Sequence, residues 1–513
     1  MSIDKNKSIS IWMEEELPSF ASLNHSLATD VCIVGAGIAG LTCAYLLCKE
    51  GLAVTVLESG LIGSGETSHT TGHLAWLLDD RFYELERLLG LEGAYLAAQS
   101  HLEAIKTVKK IIEEENIECD FKELDAYLFR APEDPPCILT KEFATLQKLN
   151  MPVERLEQAP FPHFDTGPCL RCPHQAQFHV MKYLLGLIKA IERMGGKIFS
   201  HTTVTQVIDG SICRIITEEN HEISARQVIV ATNTPINDRF FIHTKQASYR
   251  TYVIAARIPK GSIPRALYYD TLDPYHYIRL YSHPSDEESD WIIIGGEDHK
   301  TGQEEHPSEK YLILENWAKE RFPNMSKVEF YWSGQIIETI DGLAFIGRNP
   351  HDDNVYIATG DSGNGLTHST IAGLLLTDLI MKRKNPWAHL YDPSRKTLSA
   401  FTEFTKENLN VAAQYGEWLM PGEIDRLNQL HSGEGAIIRK GLKKYAIYRD
   451  SEGGLHCYSA VCPHLGCFVK WNQSEKSWDC PCHGSRFATD GHVLNGPAIS
   501  PLKPAQDALK NID

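Results

Sequence analysis

The sequence DVCIVGAGIAG at residues 30–40 is a short apolar run followed by three closely spaced glycines. A helical pattern from Leu41 to Lys49 comes next and ends at Gly51. A second apolar run, Ala53 to Leu57, follows, and Glu58 stands at its end. This order of strand, tight turn, helix, strand and terminal acid predicts an α/β unit that binds a dinucleotide.

Each glycine of this turn has a separate physical task. Gly35 makes the tight turn, Gly37 lets the backbone approach a pyrophosphate, and Gly40 lets the helix pack closely. The N-terminus of the helix attracts the phosphates, and Glu58 is predicted to bind the ribose hydroxyls. A glycine-rich turn without a ligand would leave the three glycines and the acid unexplained.

Four later segments extend the pattern. Residues 63–72, GSGETSHTTG, form a polar loop suited to wrapping a cofactor, and residues 227–232, QVIVAT, are a strand that ends in small residues. Residues 341–347, DGLAFIG, precede residues 355–367, VYIATGDSGNGLT, which read as a strand and a glycine loop before an apolar helix from Ile371 to Met381. Backbone N–H groups at that helix N-terminus can stabilise negative charge on a bound ring.

Together these segments resemble the D-amino-acid oxidase and glycine oxidase superfamily of FAD enzymes, over about residues 28–395. The resemblance implies FAD as the cofactor, with the last glycine loop at the flavin and Val204 near the adenine. The FAD contacts expected from the turn and the resemblance are Gly35, Ala36, Gly37, Ile38, Ala39, Gly40, Glu58, Ser59, Gly65, Thr67, Ser68, His69, Thr71, Gly72, Val204, Ala231, Thr232, Asp361, Gly363, Asn364, Gly365, Leu366 and Thr367.

The loop around His69 leaves two interpretations open. Residues 65–72 resemble the segment through which dimethylglycine and sarcosine dehydrogenases attach FAD covalently by a histidine. In the other interpretation, His69 only forms a hydrogen bond near the isoalloxazine ring.

Residues 240–335 are rich in tyrosine and strand-like, as expected for the antiparallel sheet that covers the flavin in this superfamily. In YHYIRLY, residues 275–281, side chains alternate across a strand, so Tyr277 and Arg279 share one face. We predict that Arg279, or Arg250 as a second candidate, binds a substrate carboxylate through its planar guanidinium, with Tyr277 as a further substrate-binding candidate. The alternative is that this face packs on a neighbouring layer. Residues 297–300, EDHK, follow a strand at 291–294 and are expected to form a charged loop, either at the entrance or simply solvated.

The cysteines that matter most lie in CPHLGC, residues 462–467, and CPCHGS, residues 480–485. Each stretch offers a thiolate and an imidazole two or three residues apart, which suits a loop that bends back on a metal. Zinc would accept two cysteines and two histidines. The extra cysteine in each loop argues against zinc, because it stands where the two loops could be bridged.

This pattern resembles the Rieske 2Fe–2S domain, closely the form in quinol-oxidising respiratory complexes, over about residues 421–513. The resemblance implies that Cys462 and Cys480 bind one iron and that His464 and His483 bind the other. It also implies a disulfide bond that ties the loops together. Its cysteines are Cys467 and Cys482, and residues 496–498, GPA, match the proline loop that shields the cluster in this resemblance.

We therefore expect an α/β, Rossmann-like FAD-binding domain with an antiparallel substrate subdomain (α+β), joined to a small all-β Rieske domain. The expected organisation is as follows: an N-terminal arm at 1–27; an oxidoreductase domain at 28–395, with FAD-binding segments at about 28–80, 176–235 and 336–385 and a substrate subdomain mainly at 81–175 and 236–335; a helical linker at 396–420; and the Rieske domain at 421–513.

Composition limits the possible partners and location. The chain has 513 residues, a formal net charge of −17 and 13 cysteines. This charge would repel a phosphate backbone, so nucleic acid is not an expected partner. Residues 1–20 lack the apolar core of a secretory signal, and no stretch approaches the ~18 uninterrupted apolar residues of a membrane span. A cytoplasmic location is predicted, in which most cysteines are free thiols or ligands.

These elements predict a dehydrogenase that oxidises an amine or amino-acid-like substrate at a C–N bond. Electrons would pass singly from FAD to the cluster and then, near His464 and His483, to an external protein or quinone. One alternative is a reductase component that delivers electrons through FAD and the cluster to an oxygenase. Another is a binding module with a structural metal.

Overall fold

The structure, a computed structural model, describes residues 8–237, 242–304, 306–397, 400–418, 420–424 and 426–512. The first seven residues of the predicted N-terminal arm and residues 398, 399 and 419 of the predicted linker lie outside these ranges. So do 238–241 and 305 of the predicted substrate subdomain and 425 and 513 of the predicted Rieske domain.

The strands of the described chain, in order, are β1 (Leu27–Val34), β2 (Val54–Leu57), β3 (His73–Leu74), β4 (Lys122–Phe129), β5 (Glu154–Leu156), β6 (Cys169–Gln177), β7 (Lys197–Phe199), β8 (Val204–Ile208), β9 (Cys213–Thr217), β10 (Glu222–Val230), β11 (Gln246–Pro259), β12 (Leu267–Tyr269), β13 (Tyr277–Tyr281), β14 (Ser289–Lys300), β15 (Val328–Thr339), β16 (Phe345–Arg348), β17 (Val355–Thr359), β18 (Glu434–Lys440), β19 (Lys443–Arg449), β20 (Leu455–Ser459), β21 (Lys470–Asn472), β22 (Ser477–Asp479), β23 (Arg486–Phe487) and β24 (Val493–Asn495). The α-helices are α1 (Ile38–Lys49), α2 (Phe82–Glu115), α3 (Cys137–Lys148), α4 (Val180–Arg193), α5 (Pro307–Arg321), α6 (Gly365–Ile380) and α7 (Phe401–Gln414).

The first sheet has the strand order β16-β17-β10-β1-β2-β7, with β9 beside β10 and β8 beside β9. The pairs from β17 through β7 are parallel. Helix α1 packs against α6 and α4 on this sheet. The last four residues of β1 and all of β2 are buried, as expected for parallel strands that are covered on both faces.

The second sheet has the order β15-β11-β14-β13-β12-β4-β6-β3, with β5 beside β6. Its neighbouring strands are antiparallel except for the parallel pair β12 and β4. The predicted combination of a parallel α/β unit with an antiparallel sheet is therefore confirmed.

The C-terminal part contains two small antiparallel sheets, β18-β19-β20 and β21-β22-β23-β24. Their shared core is small and includes Trp478, Phe487 and Leu502 together with the cysteines of the two loops. The predicted small all-β domain is confirmed. Helix α7 and a 3-10 turn at Tyr415–Trp418 precede it in the chain.

Two local predictions were wrong. Residues 297–300 were expected to form a charged loop after a strand at 291–294, but β14 runs to Lys300 because it pairs with β11 as far as Tyr249. The helix expected from Ile371 begins at Gly365, so the glycine loop itself supplies the first helical residues.

Candidate active site and metal centre

A cavity of about 750 Å³ lies where the parallel strands of the first sheet end, with Val34, Leu57 and Ala231 in its wall. The N-termini of α1 and α6 also meet it, and neither helix has a side-chain cap. Uncapped helix N-termini leave backbone N–H groups available for a ligand with negative charge.

Most predicted FAD contacts lie in the wall of this cavity. They are Gly35, Gly37, Ile38, Ala39, Glu58, Ser59, Gly65, Thr67, His69, Thr71, Val204, Ala231, Thr232, Asp361, Gly363, Asn364, Gly365 and Leu366. His69 Nδ1 lies 3.0 Å from the Gly65 carbonyl oxygen, so this ring nitrogen faces its own loop.

The remaining predicted contacts, Ala36, Gly40, Ser68, Gly72 and Thr367, are not part of the wall. The Ala36 N–H donates to Glu58, and the Ser68 hydroxyl donates to the Gly65 carbonyl. Thr367 is buried, and its hydroxyl lies 2.8 Å from a His101 ring nitrogen. These residues shape the loops that line the cavity.

The glycine turn is tightly packed. Gly35 has a φ of +104°, and a Cβ there would lie 2.5 Å from the Ala231 carbonyl oxygen. A Cβ at Gly40 would overlap the Gly35 carbonyl oxygen. Glu58 accepts hydrogen bonds from the backbone N–H groups of Ala36 and Gly60 at 2.8 and 2.9 Å. The carboxylate is thus fixed between the turn and the cavity.

The two cysteine loops of the C-terminal domain come together. The side chains of Cys462 and Cys480 are neighbours, and the contact with Cys480 lowers the pKa of Cys462. The rings of His464 and His483 lie with centroids 5.0 Å apart. His483 Nδ1 is buried and has no hydrogen-bond partner in the described chain. The loops therefore bring two sulfurs together and two imidazoles together, which are the ligand types of a 2Fe–2S cluster with mixed ligands.

The disulfide bond between Cys467 and Cys482 joins the same loops, with Cα atoms 6.5 Å apart. The sulfurs of these two cysteines and of Cys480 lie within 4.8 Å of one another. This trio is not a metal site, because two of its sulfurs are already bonded to each other. The other two cysteines of these loops, Cys462 and Cys480, are free thiols, and their role as iron ligands stays a prediction.

The profile of the FAD dependent oxidoreductase family, DAO, matches residues 30–379. The chain belongs to this DAO family. A second profile, that of the Rieske [2Fe-2S] domain, matches residues 421–506. The predicted cofactors, FAD and a Rieske 2Fe–2S cluster, are confirmed, and the protein is a DAO-family FAD-dependent oxidoreductase with a Rieske domain.

Curated relatives agree with this assignment. YhfW of Bacillus subtilis (strain 168), named a Rieske 2Fe-2S iron–sulfur protein, is 34% identical over 494 residues, which are 95% of each chain. Gamma-glutamylputrescine oxidoreductase of Escherichia coli (strain K12) is 26% identical over 380 residues, 70% of this chain and 85% of the relative. The crystal structure of glycine oxidase from Geobacillus kaustophilus shares the fold, with a TM-score of 0.61, 20% identity and coverage of 73% of this chain and 100% of that one.

The two arginines predicted to bind substrate do not line the cavity of this DAO-family enzyme. Arg279 is 1% exposed and donates through Nη1 to the carbonyl oxygens of Thr71 and Gly72, at 3.0 and 2.6 Å. Arg250 is also 1% exposed, and its partners are Ser333 and Glu475. Because both guanidinium groups already have protein partners, this placement argues against the predicted carboxylate clamp.

Acidic and aromatic side chains, and not the two arginines, line the cavity near Gly363. Asp79 lies in the wall and accepts a hydrogen bond from the Tyr275 hydroxyl. The predicted substrate residue Tyr277 is also in the wall, and its hydroxyl lies 2.7 Å from that of Thr251. Tyr269 is 4% exposed, and its hydroxyl has no partner among the described residues.

Several carboxyl groups near this end have raised pKa values. Burial raises the pKa of Asp79 to about 6 and of Asp361 to about 7. Burial and the neighbouring Asp79 raise the pKa of Asp80 to about 7. The pKa of Glu338 is well above its usual range, because Glu338 is buried beside the other carboxyls. Burial and mutual repulsion thus make these carboxyls hold their protons up to near-neutral pH.

We expect Asp298→Asn to stabilise the protein above pH 7. Burial and the charges of Asp79 and Asp273 raise the pKa of Asp298 from 3.8 to about 7. The folded state therefore binds this proton more tightly than the unfolded state, so the stabilising effect is complete below about pH 4 and disappears as pH rises through about 7. The gain in unfolding free energy at pH 8 should be about 1–3 kcal/mol, measured by urea denaturation.

The same measurement at pH 4 should show little difference between this variant and the wild type. The exposed carboxyl Asp507, with 97% of its side chain accessible, provides the matched control. Asp507→Asn should leave the unfolding free energy unchanged at both pH 8 and pH 4. An equal stability of Asp298→Asn and wild type at pH 8 would contradict the prediction.

Sequence reasoning missed three features of the site. Asp79 follows an apolar run and carries no local motif. His243 packs against the rings of His464 and His483 from the flavoprotein part of the chain. Residues of the Rieske domain between 492 and 501 form part of the cavity wall. Of these three features, only the last had a local sequence signal, which is the proline loop at residues 496–498.

Proposed function

We propose that this protein is a dehydrogenase that oxidises an amine or amino-acid-like substrate at a C–N bond. In this proposal, electrons pass singly from FAD to the Rieske cluster and on to an external acceptor, a protein or a quinone. When bound, FAD supplies an acceptor of two electrons that can release them singly, and the cluster supplies an acceptor of one electron at a time.

One observation carries the proposal, which is that the two parts of the chain share a cavity wall. His492, Val493, Asn495 and Gly496 of the Rieske domain line the same cavity as the glycine turn. The Asn495 amide also donates to Glu66 Oε1 at 2.8 Å, across the two domains. A cluster in this domain is therefore well situated to exchange electrons with a cofactor in the cavity.

The interface also contains a buried ion pair. Arg250 Nη2 lies 3.3 Å from Glu475 Oε2, and both side chains are at most 6% exposed. Ser333 donates to the other carboxylate oxygen of Glu475 at 2.7 Å. Paired and hydrogen-bonded charges of this kind lose much of their stabilisation when one partner moves away. They support a fixed contact between the domains.

The acidic end of the cavity supports a positively charged substrate. At pH 7 the Asp79 carboxyl, with a pKa of about 6, is mostly ionised. It can attract an ammonium group and accept its proton at Oδ2 or Oδ1, which leaves the neutral amine that oxidation requires. The names of two relatives, glycine oxidase and gamma-glutamylputrescine oxidoreductase, support an amine or amino acid as the substrate class.

The balance of the reaction is simple. The substrate loses two electrons and two protons, one from carbon and one from nitrogen, and becomes an imine. Water then hydrolyses the imine to a carbonyl compound and releases ammonia or an amine. The protein passes the two electrons on, either to two one-electron acceptors or to one quinone.

A cytoplasmic location belongs to the proposal. Nine cysteines outside the two Rieske loops are free thiols, and they are Cys32, Cys43, Cys48, Cys119, Cys137, Cys169, Cys172, Cys213 and Cys457. Free thiols in this number are typical of a reducing compartment. In the described chain, no helix combines the length and the apolar character that a bilayer span needs.

Anaerobic titration tests the proposal directly. The purified holoprotein is mixed with glycine, N-methylglycine, proline and putrescine in turn, while flavin absorbance and the EPR signal of reduced iron are recorded. We expect at least one of these amines to bleach the flavin and then to produce the EPR signal of a Rieske cluster. The proposal fails if none bleaches the flavin, or if bleaching never gives paramagnetic iron.

A further inference from the structure

The flavoprotein part of the chain packs against the imidazole edge of the Rieske loops, where His464 and His483 are half-buried. His243, in a 3-10 turn at His243–Lys245 just before β11, is 3% exposed. Its ring centroid lies 4.9 Å from that of His464 and 5.8 Å from that of His483, with edge-to-face geometry. Three imidazoles thus form one packed group, and one of them is not a ligand.

Hydrogen bonds hold the second ligand loop in this contact. Gln303 Nε2 donates to the Pro481 carbonyl oxygen, and Gln335 Nε2 donates to the Gly484 carbonyl oxygen, both at 3.2 Å. The crevice that remains at this contact has a volume of about 10 Å³. That volume is about the size of one water molecule, so the crevice between His243 and the Pro481–Gly484 stretch has no room for a partner protein or a quinone.

The first ligand loop is covered from another side. The Tyr415 hydroxyl donates to the Leu465 carbonyl oxygen at 2.8 Å, and the Trp418 ring packs on Phe468 with centroids 4.6 Å apart. Both residues belong to the segment between the two domains. The loops that carry the histidines are therefore held by segments that precede the Rieske domain.

Gln335 connects this contact to the cavity. Its side chain reaches Gly484, the residue after His483, while the same residue lines the cavity wall. Its backbone N–H donates to Glu66 Oε2 at 2.5 Å, which fixes it beside the polar loop at residues 63–72. A single residue thus separates the cavity from the loop that carries His483.

We propose that His243 is a positioning residue that holds the histidine edge of the cluster against the flavoprotein, so that this edge receives electrons from inside the molecule. The external acceptor then meets the Rieske domain elsewhere, and not near His464 and His483 as the sequence led us to expect. The inference rests on the proposed function and adds the path that electrons take into the cluster. Each transfer moves one electron between the two cofactors and makes or breaks no bond in the protein.

The test uses light in place of a substrate. Anaerobic illumination of the holoprotein with EDTA reduces the flavin, and the growth of the cluster EPR signal and absorbance is followed in wild type, His243→Ala and His243→Phe. We expect His243→Ala to slow reduction of the cluster by about 10- to 100-fold and to alter the nitrogen couplings of the ligating imidazoles in pulsed EPR. His243→Phe, which keeps a ring in place, should recover most of the rate.

The control is His456→Ala, which removes a partly exposed histidine from β20 of the same domain and should behave as wild type. Unchanged cluster reduction and nitrogen couplings in His243→Ala would overturn the inference, as would an equal loss in His243→Phe. Loss of iron from His243→Ala and from His243→Leu, with iron retained in His243→Phe, would support the positioning role. If the flavin of the wild type is reduced but the cluster never is, the proposed function itself fails.

Discussion

Replacing Cys480 by serine should remove the iron–sulfur cluster from the purified protein. Cys480 is 2% exposed and lies within hydrogen-bond distance of Cys462 in the core of a small domain. A serine hydroxyl at that place remains protonated and is a poor ligand for iron. Iron and acid-labile sulfide should fall to background, and the EPR signal of the reduced cluster should be absent.

The flavin of this variant should still bleach with an amine or with light, because Cys480 is not in the cavity wall. The matched control is Cys457→Ser, which changes a buried thiol on β20 of the same domain that lies outside the two loops. That variant should keep its iron. A cluster signal in Cys480→Ser, or its loss in Cys457→Ser, would contradict the ligand assignment.

A methyl group at Gly40 should have the second largest effect. The Cβ of Gly40→Ala would overlap the Gly35 carbonyl oxygen, and both atoms belong to rigid backbone. Helix α1 must then move away from the turn, which carries its N-terminus away from the cavity. Overpacking of this kind costs about 1–3 kcal/mol, so FAD affinity should fall by about 10- to 100-fold.

The experiment measures FAD content after gel filtration and FAD affinity by fluorescence titration of the stripped protein. Gly416→Ala is the matched control, because a Cβ there meets nothing within 4 Å. It should bind FAD as the wild type does. Normal FAD affinity in Gly40→Ala would show that the helix and the turn can separate without disturbing the site.

Local spacing explains what the sequence could predict. The turn at residues 30–40 and the two cysteine loops are each formed by residues within a few positions of one another, so their geometry follows from short-range backbone rules. The DAO profile agrees with the prediction from the glycine turn, and the Rieske profile agrees with the prediction from the cysteine loops. The resemblances that implied FAD and the Rieske cluster rest on the same short segments and not on tertiary contacts.

The surroundings of the arginines could not be predicted in this way. The partner of Arg279 at Gly72 is 207 residues away in the chain, and Glu475 is 225 residues from Arg250. Alternation along a strand correctly indicates which side chains share a face, but it does not reveal what packs on that face. An arginine among tyrosines therefore looked like a substrate ligand, whereas here it is held by backbone carbonyl oxygens.

The placement of His243 has the same explanation. Its neighbours, His464 and His483, lie more than two hundred positions further along the chain. No composition or periodicity near residue 243 marks it as part of a metal centre. The contact exists only because the second sheet carries β11 and its preceding turn to the Rieske loops.

The shared wall also has a consequence for biosynthesis. Because the ribosome makes the chain from its N-terminus, the dinucleotide pocket is built by residues that emerge long before the segment at 492–501 that closes one side of it. Until that last stretch folds and docks, the nascent flavoprotein has an open flank through which a bulky dinucleotide can enter. We therefore expect that the large cofactor can bind before the closing domain docks.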